Sequence, residues 1–405
     1  MRKQDLNFRE VTHKSFMNTK TVETTYQLPT YEKLPLIITR GKGSYVWDDK
    51  GSKYLDFYGG HAVALAGHCH PDIVKAVSKQ MKSLIFYSNV VYNQQRAQAA
   101  RNLVSVAGKT FSSVFFCNSG SEANETALKL AKKYTGKDEI ISFSHSFHGR
   151  TLGSLSITGF DSYKKNVGSL MSNVKFATLG NIQSVKKIIS PQTAAIILEP
   201  IQSIAGVFEA GADFYRDLRA LCTKQKIVLI FDEIQTGLGR TGKMFYGQHY
   251  NLVPDIICLA KGLAGGLPAG AVLVNKAIAQ SVHLGDQGST FGGGPVICSA
   301  ILATLNVIKK EALVKNAAET GEFLKKNIAS MKHVTSLQGK GLLLGIKLDI
   351  SAKEVQMKLL EKNIITGTSS NKFILRLMPP LTITNKEIDL FIKILKKVLE
   401  ENIYE

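Results

Sequence analysis

Three short apolar runs, each with a charged side chain at its end, set the strongest constraint on how this chain folds. They are AAIILEP (194–200), IVLIFDE (227–233) and DIICLAK (255–261). Their near-continuous apolar character predicts strands that are buried on both faces of a sheet. Helical segments lie between or before them, such as the amphipathic DFYRDLRALCTKQ (213–225). Strands that alternate with helices predict an α/β fold with a mostly parallel sheet covered by helices.

The charged ends of these runs are candidate functional groups. In parallel sheets ligands collect at the carboxyl ends of the strands, so we expect Glu199, Asp232 and Lys261 to be neighbours. Desolvation at the mouth of the core would lower the pKa of Lys261 and favour a nucleophilic amine. Each residue also has a simpler interpretation when it is considered alone. Lys261 could extend from its strand end to solvent, and Asp232 could be an ordinary strand-end carboxylate whose hydrogen bonds are satisfied within the fold.

A candidate phosphate site lies in CNSGSEANETALKLAKKY (117–134). The small residues Ser119, Gly120 and Ser121 follow an apolar strand and open a predicted helix, with Ser119 and Glu122 in capping-box spacing. The free N–H groups and the dipole of a helix N-terminus attract anions, which suits phosphate. A plain helix cap without a ligand is the simpler alternative.

The glycine-rich stretch VLIFDEIQTGLGRTGKM (228–244) resembles two nucleotide-binding motifs but satisfies neither. A phosphate loop precedes the acidic strand and ends in Lys-Ser or Lys-Thr, whereas this loop follows Asp232 and Met244 replaces the hydroxyl. In a dinucleotide fingerprint the first glycine leaves the strand directly, whereas here residues 232–236 come before Gly237, and Pro254 then interrupts the unit. We therefore expect a turn-rich surface loop.

The net charge of +19 raises the possibility of a nucleic-acid or nucleotide partner. The lysines and arginines are spread along the chain, however, and alternate with apolar residues near the C-terminus, which is typical of solvated helix faces.

No run approaches the roughly 18 apolar residues of a membrane helix. The N-terminal MRKQDLNFREVTHKSF (1–16) lacks the apolar region of a signal peptide. We expect a cytoplasmic protein that binds neither nucleic acid nor membrane.

The cysteines and histidines give little indication of a metal site. The five cysteines are scattered singly without a C-x-x-C pair, which favours reduced, mostly buried thiols. GHCHP (67–71) offers His68, Cys69 and His70, but this spacing without a fourth ligand nearby is poor for a closed zinc site. We expect no bound metal.

Six stretches, taken together and in this order, resemble the class III pyridoxal-phosphate aminotransferases, in the subgroup of acetylornithine and ornithine aminotransferases. They are NSGSEANETALKLA, SFHGRTLGSLS, LEPIQ, LIFDEIQTGLGRTG, LAKGLAGGLPAGAV and GSTFGGGP. The resemblance extends from about Gly41 to Leu381. It implies fold type I: an N-terminal segment (1–60) packed with the small domain, a large cofactor-binding domain (61–296) with a mixed, mostly parallel sheet, and a smaller α+β C-terminal domain (297–405). It also implies a homodimer with shared active sites.

The resemblance assigns roles around pyridoxal 5'-phosphate. Asp232 would face the pyridine nitrogen, and Lys261 would carry the cofactor and then move the substrate proton. The remaining cofactor-binding residues would be Ser119, Gly120 and Ser121 at the phosphate, Thr290 from the partner subunit at the same phosphate, Phe147 on the ring, Gln235 at the phenolic oxygen and His148 in a supporting hydrogen bond.

The resemblance also assigns the substrate contacts. Arg150 would bind the α-carboxylate of an acylated donor, helped by Ser289 of the partner subunit. Arg376 would bind the dicarboxylate 2-oxoglutarate or glutamate, with Glu199 as an alternating partner that masks it. An arginine fork matches two carboxylate oxygens, which suits both roles.

The choice of substrate is narrowed by the N-terminal stretch LPTYEKLPLIITRGKGSYVWDDKGSKYLDF (28–57). This stretch resembles the corresponding part of the acetylornithine enzymes more than that of the ornithine enzymes. The expected reaction moves the terminal amino group of N-acetylornithine to 2-oxoglutarate, giving N-acetylglutamate 5-semialdehyde and glutamate. Ornithine, succinylornithine, an N-acyl-lysine and 4-aminobutyrate stay open as donors. The sequence departs from the family at Ser203-Ile204-Ala205, where Gly-Glu-Gly or Gly-Glu-Ala is common, and at His61. These departures and Tyr58 could reshape the acyl end of the pocket.

Overall fold

A computed structural model of the chain describes residues 18–401. The N-terminal stretch 1–16, on which the expectation of no signal peptide rested, lies outside the described residues. The strands are β1 Ile38–Lys42, β2 Tyr45–Asp48, β3 Lys53–Asp56, β4 Phe111–Cys117, β5 Glu139–Phe143, β6 Val174–Ala177, β7 Thr193–Leu198, β8 Ile201–Gln202, β9 Phe208–Glu209, β10 Val228–Asp232, β11 Ile256–Leu259, β12 Gly270–Asn275, β13 Val334–Lys340, β14 Leu343–Leu348, β15 Ile364–Ile365, β16 Gly367–Thr368 and β17 Ile374–Leu377.

The helices surround these strands, and short 3-10 turns occur at Asp161–Tyr163, Tyr246–His249 and Lys261–Ala264. The α-helices are α1 Thr19–Tyr26, α2 Gly59–Ala62, α3 Pro71–Ser83, α4 Gln94–Ala107, α5 Gly120–Thr135, α6 Leu152–Ser156, α7 Ile182–Ile188, α8 Ala212–Gln225, α9 Lys276–Gln280, α10 Pro295–Lys310, α11 Leu313–Ile328, α12 Ala352–Glu361 and α13 Asn385–Glu400.

A seven-stranded sheet in the order β4-β12-β11-β10-β7-β5-β6 forms the centre of the fold. Neighbours from β11 to β6 run parallel, and β12 runs antiparallel to both β11 and β4. This mixed, mostly parallel sheet is the one that the sequence predicts. The three apolar runs are its adjacent central strands β7, β10 and β11, and every residue of these strands is buried.

Alternate residues of the central strands face different helices. Ile196 and Leu229 pack in the cluster that contains α8 residues, whereas Ile197 and Ile230 pack in the cluster that contains α5 residues. Each fully buried aliphatic side chain of this kind contributes about 1.5–3 kcal/mol to folding. Because helices cover both faces, the polar groups that end the strands can emerge only at the carboxyl edge of the sheet.

The N-terminal strands pack with the C-terminal part of the chain. β1, β2 and β3 form a four-stranded sheet with β15, which runs parallel to β3. The rings of Phe57 and Phe391 stack nearby with their centroids 3.9 Å apart. A further sheet, β13-β14-β17-β16, packs with α11 and α12, and α13 packs against both of these helices. The domain limits at residues 60 and 296 stay a prediction.

The expectation of a surface loop at Gly237–Gly242 is wrong, because this segment is largely buried. Arg240 is 0% exposed, and its Nη1 donates to the carbonyl oxygens of Leu342 (3.1 Å) and Pro379. Gly242 has φ +85°, and an added Cβ would lie 2.9 Å from that of Ala318 on α11. The glycines therefore allow close packing against the C-terminal part of the chain and form no nucleotide cradle.

The cysteine expectation is largely confirmed. Cys117, Cys222, Cys258 and Cys298 are buried free thiols, and Cys69 is exposed.

Within residues 18–401, none of the helices has the length and apolar character that crossing a bilayer requires.

Candidate active site

The carboxyl ends of β7, β10 and β11 open into one cavity of about 380 Å³. Glu199, Asp232 and Lys261 all line it, so the structure brings together the three side chains that were expected to be neighbours. The cavity wall also contains the other residues expected around a cofactor ring and phosphate, namely Ser119, Gly120, Ser121, Phe147, His148 and Gln235.

Asp232 is held by three hydrogen bonds at the end of β10. His148 Nδ1 lies 2.7 Å from Asp232 Oδ2, and Asn124 Nδ2 donates to the same oxygen at 2.8 Å. The backbone N–H of Ile234 donates to Oδ1 at 3.2 Å. Asn124 Nδ2 also donates to the His148 carbonyl oxygen at 2.7 Å, which closes the cluster. Asp232 is only 4% exposed, so these bonds fix a carboxylate that points at the cavity.

Lys261 starts the 3-10 turn that follows β11, in a left-handed conformation with φ +46°. This conformation is uncommon for a residue with a side chain and is frequent at functional sites. Desolvation lowers the pKa of the Lys261 amine, and the nearby Arg376 lowers it further, against the opposing effect of Asp232 and Glu199. A larger fraction of the amine is therefore neutral and able to accept a proton.

The N-terminus of α5 faces the cavity as expected. Ser119 is its N-cap, and its Oγ accepts the N–H of Glu122 at 3.2 Å. The Glu122 carboxylate accepts the N–H of Asn118 at 3.0 Å. In a capping box it would accept the backbone N–H of the N-cap residue Ser119 instead. An added Cβ on Gly120 would lie 2.7 Å from Ile234 Cδ1, so a larger residue here would have to displace the Ile234 side chain. The N–H groups of Gly120 and Ser121, in the first turn of the helix, have no intrahelical acceptor and suit a phosphate.

Glu199 accepts the backbone N–H of Phe147 at 2.7 Å. Burial raises the pKa of Glu199 to about 7, with the neighbouring Asp232 charge acting in the same direction. Glu199 thus anchors the segment that carries Phe147, whose ring meets that of Tyr163 edge-on at 5.7 Å.

Three buried polar atoms around the cavity lack a hydrogen-bond partner among the described residues. They are Asn124 Oδ1, His148 Nε2 and Gln235 Oε1. Buried polar atoms are normally paired, so unpaired ones beside a cavity indicate a missing polar ligand. With a carboxylate, an amine and a helix N-terminus on the same cavity, the donor set fits pyridoxal phosphate.

The two arginines expected to bind carboxylates lie outside the lining of this cavity. Arg150 is exposed, and its guanidinium carbon lies 3.9 Å from the centroid of the Tyr163 ring. Arg376, in β17, is 4% exposed, and its Nη1 donates to Ser203 Oγ at 3.0 Å. No ion pair joins Glu199 to Arg376 in this structure, and the alternation between them stays a prediction.

Ser289 and Thr290 also lie outside the lining of their own chain's cavity. Ser289 Oγ accepts from Asn118 Nδ2 at 3.1 Å, and Thr290 is exposed. Their roles in a partner's site stay a prediction.

The residues of GHCHP face two different carboxylates. His68 Nε2 lies 2.7 Å from Asp56 Oδ2, and His70 Nε2 lies 2.9 Å from Glu311 Oε1. Over the part of the chain that the structure describes, no group of three or more acidic, histidine or cysteine side chains is placed to hold a metal.

Two contacts of the site were not predicted from the sequence. Asn124 was not singled out, although an amide on the apolar face of α5, beside Ala123 and Ala127, is the kind of buried polar residue that needs a partner. Ser203 was noted as a departure from the family, but its bond to Arg376 was not predicted.

The chain matches the family Aminotransferase class-III over residues 26–399, and it belongs to this family. An acetylornithine aminotransferase of Caldanaerobacter subterraneus subsp. tengcongensis is 40% identical over 396 residues, covering 94% of this chain and 99% of that protein. Ornithine aminotransferase 1 of Staphylococcus saprophyticus is 39% identical over 387 residues, covering 93% and 98%. The acetylornithine aminotransferase structure from Elizabethkingia anophelis has a TM-score of 0.83 at 31% identity and covers 94% and 98%. The predicted family and fold type are confirmed.

Proposed function

We propose that the protein is a cytoplasmic, pyridoxal-phosphate-dependent aminotransferase that moves the terminal amino group of N-acetylornithine to 2-oxoglutarate. The observation that carries this proposal is the placement of Lys261, Asp232 and the N-terminus of α5 around one cavity. Products of the reaction are N-acetylglutamate 5-semialdehyde and glutamate, a step suited to arginine biosynthesis. The similarity to acetylornithine aminotransferases over nearly the whole chain supports this donor.

Pyridoxal phosphate, when bound, supplies a ring that accepts electrons released from the substrate carbon. Asp232 would hold a proton on the pyridine nitrogen, and the bonds from His148 and Asn124 keep its carboxylate in place. The N–H groups of Gly120 and Ser121 would hold the phosphate. Phe147 would cover the ring face, and Gln235 would donate to the phenolic oxygen.

Lys261 would move the proton. Lys261 lines the same cavity as Asp232, and its lowered pKa favours the neutral amine, which can take a proton from the substrate carbon and return it to the neighbouring position. The general-base role needs no histidine, because His148 is already bonded to Asp232.

Arg150 and Arg376 would bind the substrate carboxylates. Arg150 is exposed at the rim over Tyr163, where it can reach the α-carboxylate of an acylated donor. Arg376 is buried on another side, near Tyr58, where it can receive a carboxylate of 2-oxoglutarate. Each guanidinium can make two parallel bonds to a carboxylate.

A homodimer would complete the site. The segment between α3 and α4 exposes a run of apolar side chains, Ile85, Phe86, Tyr87, Val90 and Tyr92. Asn89 in this run donates to the carbonyl oxygens of Ser289 (2.9 Å) and Gly292 (3.1 Å), so the run is tied to the segment that carries Thr290. An exposed apolar patch of this kind favours association with a second copy, which would present Thr290 and Ser289 to the neighbouring cavity.

The test of the proposed function is a panel of half-reactions. The holoenzyme should absorb at about 420 nm through an imine on Lys261. Acetylornithine, succinylornithine, ornithine, an N-acyl-lysine and 4-aminobutyrate are mixed with it separately, and the loss of this absorbance is followed. We expect acetylornithine to react fastest. A faster reaction with ornithine or 4-aminobutyrate would reassign the donor, and a protein that stays colourless with added cofactor would refute the aminotransferase proposal.

A further inference from the structure

The guanidinium of Arg150 forms neither an ion pair nor a hydrogen bond with the residues that the structure describes, 18–401. Arg150 contributes only its backbone N–H, which donates to Ser121 Oγ at 3.3 Å, and its side chain is exposed. The guanidinium contacts aromatic rings instead. Its carbon lies 3.9 Å from the centroid of the Tyr163 ring and 5.7 Å from that of the Phe147 ring. The N–H donors of Arg150 therefore stay available to a ligand while a ring face supports the cation.

The Tyr163 ring is itself held from two sides. Tyr163 ends a 3-10 turn, and its backbone N–H donates to the Phe160 carbonyl oxygen at 3.2 Å. The Phe147 and Phe160 rings both meet the Tyr163 ring edge-on, each at a centroid distance of 5.7 Å. Phe147 is in turn anchored by Glu199, which accepts its N–H. Edge contacts on two sides fix the plane of an aromatic ring, so Arg150 rests on a rigid support.

The ring of Tyr163, and not its hydroxyl, makes the contacts of this side chain. Over the described part of the chain the hydroxyl has no hydrogen-bond partner, although the side chain is half-buried. The contacts with Arg150, Phe147 and Phe160 all involve the ring. A phenylalanine at this position should make the same contacts.

An exposed arginine loses conformational freedom when both prongs of its guanidinium bind a carboxylate. A ring face that attracts the cation reduces this loss before the substrate arrives, because it uses none of the N–H donors. Arg150 directly follows His148 and Gly149, which line the cavity, so the supported guanidinium lies at the rim. Its orientation affects the binding of an amine that carries a carboxylate at its far end, and does not affect an amine that carries none.

We propose that Tyr163 is a positioning residue for the amino donor, because its ring orients the Arg150 guanidinium toward the donor α-carboxylate. This inference rests on the proposed function, which assigns that carboxylate to Arg150. Tyr163 acts through Arg150 and needs no contact with the reacting atoms. The discrimination between amines with and without a carboxylate therefore depends on Tyr163.

The experiment follows the donor half-reaction of the holoenzyme by the loss of absorbance at about 420 nm, with two donors. Acetylornithine carries the α-carboxylate, and N-acetyl-1,4-diaminobutane has hydrogen in its place. Tyr163→Leu should raise the apparent Kd of acetylornithine roughly three- to tenfold, with the limiting rate unchanged. The Kd of the diaminobutane should stay the same.

Two further variants show whether the ring is responsible. Tyr163→Phe keeps the ring and should retain most of the affinity that Tyr163→Leu loses. Tyr134→Leu is the matched control, since it makes the same replacement at an exposed position near the C-terminal end of α5, and it should bind both donors like the unaltered enzyme.

A double-mutant cycle separates positioning from general damage to the site. In an Arg150→Gln background there is no guanidinium to orient, so Tyr163→Leu should not weaken acetylornithine binding any further. An unchanged Kd in Tyr163→Leu would overturn the inference. An equal effect in both backgrounds, on both donors or in Tyr163→Phe would overturn it as well. If Tyr163→Leu does not fold, Tyr163→Met, which fills similar space without a ring face, takes its place.

The proposed function can fail separately. If another carboxylated amine reacts faster than acetylornithine, the comparison is made with that amine and the analogue that lacks its carboxylate. If Arg150→Gln leaves donor binding unchanged, the assignment of the donor carboxylate is wrong, and the role of Tyr163 is refuted with it. If Arg150→Gln weakens binding and Tyr163→Leu does not, only the role of Tyr163 is refuted.

Discussion

His148 Nδ1 and Asp232 Oδ2 lie 2.7 Å apart in a wall where both side chains are almost fully buried. Asn124 joins them, because its Nδ2 donates both to Asp232 Oδ2 and to the His148 carbonyl oxygen. The orientation of the carboxylate toward the cavity therefore depends on two residues that themselves need not touch a substrate.

Asn124→Ala should weaken cofactor binding. The change removes a hydrogen bond to a carboxylate, which is worth about 1.5–3 kcal/mol, so the Kd for pyridoxal phosphate should rise roughly 10- to 100-fold. The measurement is reconstitution of the apoenzyme followed by absorbance. Asn306→Ala, at an exposed position of α10, is the matched control and should leave the Kd unchanged. An unaltered Kd in Asn124→Ala would show that His148 and Ile234 alone fix Asp232.

Lys261→Ala should separate cofactor binding from proton transfer. The α5 N-terminus and Asp232 are untouched, so the cofactor should still bind, but without covalent attachment and without the amine that moves the proton. Loss of a positioned base alone lowers turnover roughly 10²–10⁴-fold. Borohydride reduction followed by mass spectrometry should find no cofactor on the variant. A cofactor attached to another lysine would contradict the assignment.

Glu199 should make 2-oxoglutarate binding depend on pH. Its pKa is raised to about 7, so the carboxyl is neutral in moderately acidic solution and ionised above pH 7. The ionised form attracts Arg376 and weakens its hold on a substrate carboxylate. The KM for 2-oxoglutarate should therefore rise about three- to tenfold between pH 6 and 8.

Glu199→Gln should flatten this profile, because its amide oxygen can still accept the Phe147 N–H while no charge develops. The effect on stability has a defined sign as well. The folded chain holds this proton more tightly than the unfolded chain, so the contribution of Glu199 to stability falls as pH rises from about 4.5 through about 7. A KM profile in Glu199→Gln that matches the unaltered enzyme would assign the pH dependence to another group.

The sequence was sufficient for the central sheet and for the ends of its strands. Apart from Thr193 at the start of β7 and Asp232 at the end of β10, the strands β7, β10 and β11 are apolar, and short runs of this kind predict strands that are buried on both faces. Their last residues could then be placed at one edge without knowing any distance. The family resemblance added the identity of the residues around the cavity, but not their bonds.

The sequence was insufficient where a contact joins distant segments. Residues 237–242 have the composition of a surface turn, yet the segment is largely buried. Its Arg240 donates to the carbonyl oxygens of Leu342 and Pro379, which lie more than 100 residues later in the chain. Ser203 and Arg376 are likewise separated by 173 residues. Local patterns report the period and polarity of a segment, whereas these pairings depend on how two parts of the chain pack together.

Arg150→Lys and Arg376→Lys should damage different half-reactions. Both changes replace a planar, two-pronged donor by a point charge on a flexible chain, and neither touches Lys261 or the α5 N-terminus. If Arg150 binds the donor α-carboxylate, Arg150→Lys should weaken the acetylornithine half-reaction roughly 10- to 100-fold, since a charge-assisted bond is worth about 1.5–3 kcal/mol. Arg376→Lys should instead weaken the 2-oxoglutarate half-reaction by a similar factor.

The two variants should also differ in thermal stability, and this difference helps to interpret their kinetics. Arg150 is exposed and lies over Tyr163, so its replacement should leave Tm nearly unchanged. Arg376 is buried and donates to Ser203 and Thr368, so its replacement should also lower Tm, because a lysine cannot make both bonds from the same position. Single-turnover measurements with each substrate separate the two half-reactions, with the absorbance at about 420 nm as the check that the cofactor is in place. Equal loss in both half-reactions for either variant would mean that the two arginines do not divide the substrates between them.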